Sequence, residues 1–124
     1  MCAHYEILTK TNRGKLYEIT QEKEDGSTVT KYQVDFGNML MTLHYKNIVL
    51  LNNFILSIYE TGVDNAKVQP NNKILIQPKG FIGYYALTED ELLELRELIT
   101  VGLDYIKIGL EIKKLMGNER KYFN

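Results

Sequence analysis

From His4 to Lys10 the chain alternates, with Tyr5, Ile7 and Thr9 set against Glu6 and Leu8. A period of two with aromatic and β-branched residues predicts a strand. Thr11-Asn12-Arg13-Gly14 follows as a turn, because Asn and Gly accept dihedrals that other residues avoid. Lys15 to Glu22 alternates again, with Leu16, Glu18 and Thr20 on one face and Tyr17, Ile19 and Gln21 on the other. Glu24-Asp25-Gly26-Ser27 contains an Asp-Gly pair, a strong hairpin signal. Thr28 to Phe36 reads as a third strand through Val29, Thr30, Tyr32 and Val34. Met39 to Leu43 resumes the pattern after Phe36-Gly37-Asn38, so Gly37 is either a bulge or the tip of a tight turn. The first part of the chain is therefore expected to be an antiparallel meander of three or four strands.

At Tyr45 the period changes. Ile48, Leu51, Ile55 and Ile58 recur at helical spacing, and Lys46, Asn53, Ser57 and Glu60 form the polar side, which predicts a helix over 45–60. Gly62, Asp64, Asn65, Pro70, Asn71 and Asn72 mark a connection. Lys73 to Gln77 and Phe81 to Leu87 read as two strands around Gln77-Pro78-Lys79-Gly80, which fits a type I turn. Thr88-Glu89-Asp90-Glu91 is a capping box, and apolar residues then run on to Met116 before Gly117-Asn118 closes the helix.

Leu43, Ile48, Leu51, Phe54 and Ile55 fall on Leu87, Leu92, Leu95, Leu98 and Ile99 at an offset of 44. Either the chain contains two units of hairpin followed by helix, or two unrelated amphipathic helices happen to align. Both readings give the same class: α+β, an antiparallel sheet of five to six strands with two helices on one face. The expected organisation is one domain over 1–124, with strands and the first helix in 1–60, a hairpin and long helix in 73–116, and a tail at 117–124.

The second helix changes the picture most. Glu97, Thr100, Asp104, Lys107, Glu111 and Lys114 confine its charge to one stripe, and the rest of its circumference is apolar. A helix that apolar is covered on more than one side. Leu95, Gly102, Gly109 and Met116 lie seven apart, with Leu98, Tyr105 and Ile112 three further on. The expectation is a homodimer interface formed by Leu95, Leu98, Gly102, Tyr105, Ile106, Gly109 and Ile112. The plain alternative is packing on helix 45–60 within one chain.

Composition removes function classes rather than adding them. The 124 residues carry 15 Lys plus Arg and 16 Asp plus Glu, a net charge of −1, so there is no global field to draw the chain onto DNA or an anionic membrane. One Cys excludes an internal disulfide and points to a reducing compartment, the cytoplasm. The start has no basic segment followed by an apolar one, and Ile48 to Tyr59 is too short to span a bilayer. No Gly-x-Ser-x-Gly, phosphate-cradling loop or Cys-His signature is present, so neither catalysis nor a cofactor is expected. Cys2 and His4 could be half of a zinc site, but only His44 remains as a further ligand of the kind structural zinc takes, and a plain strand start is the simpler reading. Lys67, Lys73 and Lys79, followed by Phe81, Tyr84 and Tyr85, combine basic groups with rings, as single-stranded nucleic-acid sites do; strand aromatics are equally ordinary cross-strand pairs.

Met1-Cys2-Ala3-His4, the segment Phe36-Gly37-Asn38-Met39-Leu40-Met41-Thr42-Leu43, and Ile76-Gln77-Pro78-Lys79-Gly80 through Leu87 together resemble a small uncharacterised bacterial family. Many of its members pair a Cys-x-His start with a later Cys-x-x-Cys; the matching region here, Lys15 to Asp35, has no Cys. The resemblance implies the α+β fold and a dimer, and carries no activity. Four strands followed by a helix also resembles the unit of Pur-type repeats, which implies single-stranded nucleic-acid binding as the alternative to a non-enzymatic, homodimeric interaction or regulatory protein.

Overall fold

The computed structural model describes residues 3–61, 73–78 and 85–123. Its elements run β1 (Ala3–Lys10), β2 (Gly14–Glu22), β3 (Thr28–Phe36), β4 (Met39–Leu43), α1 (Tyr45–Thr61), β5 (Ile74–Ile76), β6 (Tyr85–Leu87) and α2 (Glu89–Phe123). The architecture is α+β. The first four strands form an antiparallel meander in the order β1-β2-β3-β4. Its turns use the chemistry legible in the sequence: Gly26 sits at φ 86° and Gly37 at φ 55°. Phe36 pairs with Met39, so Gly37-Asn38 is a two-residue hairpin loop and Gly37 is the tip of a turn rather than a bulge. The irregularity in this sheet lies in β1, where the register slips between Ile7 and Thr9.

The register sorts every strand residue onto a face. Thr9, Leu16, Val34 and Met41 form one row across the four strands, and Glu6, Glu18, Tyr32 and Leu43 form the next. This face meets the helices: α2 lies over β1 and β2, and α1 over β3 and β4. Leu16, Val34, Phe36, Met41 and Leu43 join Ile48, Leu51 and Ile55 of α1 and Leu92, Leu95, Leu98 and Ile99 of α2 in one core. The helices also touch each other, and Thr100 Oγ1 lies 3.1 Å from Asn52 Oδ1, a polar pair at the seam that accounts for the burial of Asn52.

Two expectations are corrected. The six strands do not form one sheet: β5 and β6 make a separate two-stranded ladder, with Ile74 opposite Leu87 and Ile76 opposite Tyr85. Ile74, Ile76 and Leu87 reach the common core by packing their side chains, without hydrogen bonding to β4. The second helix also does not close at Gly117-Asn118 but continues to Phe123. Glycine ends a helix when it takes left-handed dihedrals; in right-handed ones it only weakens the helix. Neither Gly102 nor Gly109 breaks α2. The capping box forms as read: Glu91 N donates to Thr88 Oγ1 at 3.1 Å and Thr88 N donates to Glu91 Oε1 at 2.9 Å.

Candidate functional site

A helix of 35 residues is about 52 Å long at 1.5 Å per residue, far longer than the strands beneath it. Leu92, Leu95, Leu98, Ile99, Leu103 and Ile106 anchor its first half in the core. From Lys107 to Met116 only Gly109 is even partly covered. On this overhang the apolar residues do not stop. Val101, Tyr105, Ile108, Ile112 and Leu115 are all exposed, and they are spaced four, three, four and three apart. That is the heptad spacing that puts side chains on one seam of a helix facing another helix. Tyr105, Ile108 and Ile112 are 55, 56 and 51% exposed, so roughly half of each residue meets solvent.

Seven residues were expected at a dimer interface, and the structure divides them. Leu95, Leu98 and Ile106 lie in the chain's own core, and Gly102 is pressed against the sheet, which removes all four from any seam between chains. A Cβ at Gly102 would overlap Leu16 Cδ2 and come within 3.0 Å of Thr9 Cγ2, so glycine here lets α2 approach β1 and β2 closely. Tyr105 and Ile112 are exposed. A Cβ at Gly109 would meet nothing within 4 Å. The available stripe is therefore rotated from the expected one and adds Val101, Ile108 and Leu115.

Beneath the overhang lies a groove of about 200 Å³ lined by Glu6, Leu8, Glu18, Tyr32, Tyr105, Ile106, Gly109, Leu110 and Lys113. Its floor is the row Glu6–Glu18–Tyr32, three direct cross-strand neighbours. Burial raises the Tyr32 hydroxyl above the ordinary phenol range, and the nearby Glu18 and Tyr45 push in the same direction. Tyr59 of α1 is also held above that range by burial, against the opposing Arg96 guanidinium 4.7 Å from its ring centre. Its hydroxyl is buried and finds no hydrogen-bond partner among the described residues.

At the other end of the sheet a single carboxylate ties the β1–β2 turn to α2. Glu94 Oε2 accepts from Thr11 Oγ1 at 2.9 Å and from Arg13 N at 2.7 Å, and Glu94 Oε1 accepts from Arg13 Nη1 at 3.0 Å. Gly37 N donates to Arg13 O at 2.9 Å, so both turns at this end are fastened together. This is structural chemistry, and it accounts for part of the acidic start of α2.

Of the expected basic and aromatic patch, Lys67, Lys79, Phe81 and Tyr84 lie outside the described residues. Lys73 and Tyr85 are half-buried and line one pocket of about 230 Å³ with Phe36, Asn38 and Glu91. Cys2 also lies outside the described residues; His4 is exposed on β1, opposite Thr20. Among the described residues no three His, Cys, Asp or Glu side chains gather into a metal-binding group.

Sequence reasoning passed over the open face of the sheet. Lys10, Lys15, Asp35 and Leu40 form one row, Ile7, Tyr17, Gln33 and Thr42 the next, and Tyr5, Ile19 and Lys31 a third. Tyr5 and Tyr17 meet edge to face, with ring centres 6.4 Å apart. The signal was present in the alternation of Tyr17 and Ile19 against Leu16. Two apolar faces of one strand cannot be ranked without knowing where the helices fall.

No helix of the described residues is long and apolar enough to cross a membrane. No curated protein and no solved structure matches the chain. A model of a family of unknown function, DUF6686, matches residues 1–118. The match covers nearly the whole chain, from β1 through all but the last turns of α2, and on that ground the protein belongs to the DUF6686 family, whose function is unknown.

Proposed function

We propose that the protein is a non-enzymatic cytosolic interaction protein that acts as a homodimer, joined through the overhanging half of α2. The observation that carries this reading is the exposed seam of Val101, Tyr105, Ile108, Ile112 and Leu115 on a helix that outruns its own sheet. No described element packs on that seam. A second copy is the occupant that fits it, because a heptad stripe is complementary to another of its kind and twofold pairing repeats the same contacts on both chains. The single cysteine agrees with a reducing compartment.

The hairpin-then-helix order occurs twice, as β3–β4–α1 and β5–β6–α2. We read this as an internal duplication in which the second helix was extended beyond the core. The extension supplies the interaction surface, and the first copy has no counterpart to it.

The test is the solution mass of the full chain by light scattering, for the wild type and for Ile108→Asp and Ile112→Asp. Both positions are exposed, so the variants keep the fold. The reading expects a mass twice the 14.4 kDa of one chain that falls to one chain in the variants. A wild-type mass of one chain at about 100 μM, a concentration at which even weak specific pairing registers, overturns it.

A further inference from the structure

We propose that the open face of the four-stranded sheet is a binding platform for single-stranded nucleic acid, centred on Tyr5 and Tyr17 and flanked by Lys10, Lys15 and Lys31. The proposal is independent of the dimer and uses none of its residues.

The geometry comes from the register. The helices occupy one face, so the alternate residues of β1 to β4 point away from them, and no described element packs on that side. On this face Tyr5 is 55% exposed and Ile7 51% exposed, each standing beside a β2 residue of the central pair Tyr17 and Ile19. Ile19 is buried between its neighbours without belonging to the core, which makes it the floor of the patch. Tyr5 meets Tyr17 with the ring planes at 86°, so the rings brace each other while Tyr5 keeps much of its surface outward. Braced, half-exposed rings on a sheet are what bases stack on, since every base has a π-face.

Charge then selects the partner. Lys10 and Lys15 form the row beside Ile7 and Tyr17, about 7 Å further along the strands, and Lys31 stands across Ile19 from Tyr5. Three lysines stand on this face and only Lys15 has a carboxylate directly opposite, so the face carries a net positive charge. Asp35, in the Lys10–Lys15 row, is the one acid on the face. A second copy of the same face would oppose lysines to lysines, which disfavours self-pairing here. A polyanion carrying flat apolar groups satisfies both the rings and the lysines. The strand surface is about 5 Å per strand wide and offers no helix for a duplex groove, which favours an unpaired strand.

The experiment is fluorescence anisotropy of labelled oligo-dT and oligo-U of about 12 nucleotides, titrated with the full chain. Duplex DNA and poly-glutamate serve as competitors, and Tyr5→Ser, Lys15→Glu and Lys31→Glu are titrated alongside. Tyr5 is exposed and Lys15 and Lys31 are half-buried, and circular dichroism checks each fold. The expected result is saturable binding of one or both single strands, weakened about tenfold or more by each variant. Three phosphate contacts predict that log K falls with log salt at a slope of about −2. Absence of binding at about 100 μM chain, a level that captures even weak non-specific contacts, overturns the proposal. So does binding that survives the three substitutions, or that poly-glutamate displaces as well as oligo-dT does, which would make the face a dock for acidic protein. Binding of dT but not U, or the reverse, supports the platform and shows that it discriminates by the 2′-hydroxyl or the thymine methyl.

Discussion

Gly102 and Gly109 occupy equivalent positions seven residues apart on α2, and the structure assigns opposite consequences to replacing them. In Gly102→Ala the added methyl overlaps Leu16 Cδ2 and crowds Thr9 Cγ2. Leu16 has no exposed surface and is packed by the core, so it has no empty space to swing into. Overpacking of this kind costs about 1–3 kcal/mol, against which alanine recovers up to about 1 kcal/mol of helix propensity. The net expectation is a loss of about 1 kcal/mol. In Gly109→Ala the methyl meets nothing within 4 Å, so the propensity gain of about 0.8 kcal/mol stands alone. Both substitutions reduce unfolded-chain entropy equally, so that contribution cancels in the comparison. A gap of about 2 kcal/mol corresponds to roughly 8 °C in melting temperature for a chain of this size. Thermal melts followed by circular dichroism measure it directly. Equal melting temperatures, or Gly102→Ala melting higher, would refute the close approach of α2 to the sheet.

Ile106→Asp should lower the unfolding midpoint sharply, because a carboxylate at a 3% exposed position costs several kcal/mol of a total stability of about 5–15 kcal/mol; Ile112→Asp, six residues further along α2, should melt like the wild type when monomeric. Urea titration distinguishes the two. Glu94→Ala should cost about 1–2 kcal/mol by releasing Thr11 and Arg13, and an unchanged midpoint would contradict the turn-to-helix tie. Thr88→Ala should cost about 1 kcal/mol. The Thr88 amide, foremost, holds the Glu91 carboxyl below the ordinary glutamate range, despite a smaller opposing effect of burial. A depressed folded pKa gives stability that is present above the unfolded glutamate value of ~4.3 and lost as pH falls through the folded value. The wild type should therefore lose stability in that acidic window more steeply than Glu91→Gln, which removes the titrating group, and parallel pH profiles would count against the capping box.

The meander was legible because turn chemistry and alternation agreed: Asp25-Gly26 and Gly37-Asn38 both form the hairpins their residues favour. Thr88 and Glu91 announced the start of α2 for the same reason, since the capping box is a local interaction. What failed were the decisions that depend on distant parts of the chain. Whether β5 hydrogen-bonds to β4 depends on where α1 delivers the chain, and nothing in Ile74-Leu75-Ile76 encodes that. Which stripe of α2 stays exposed was not legible because the helix is apolar around most of its circumference. Leu98 and Ile106 look as suitable for a partner as Val101 and Ile108 until the sheet claims one set. The open-face patch of Tyr5, Tyr17 and Lys31 was missed for the same reason: each strand of β1 and β2 carries apolar residues on both sides.

Amide hydrogen exchange over residues 107–116 reads out whether a partner covers the overhang of α2. In a lone chain this stretch is a solvated helix with no packing to slow its opening, so its amides exchange close to the free rate. Pairing through α2 gives clear protection there in the wild type, and loss of that protection in Ile112→Asp with the core strands β2 and β3 unchanged. Fast exchange over 107–116 in the wild type, or protection that Ile112→Asp leaves intact, would contradict a dimer joined through this helix.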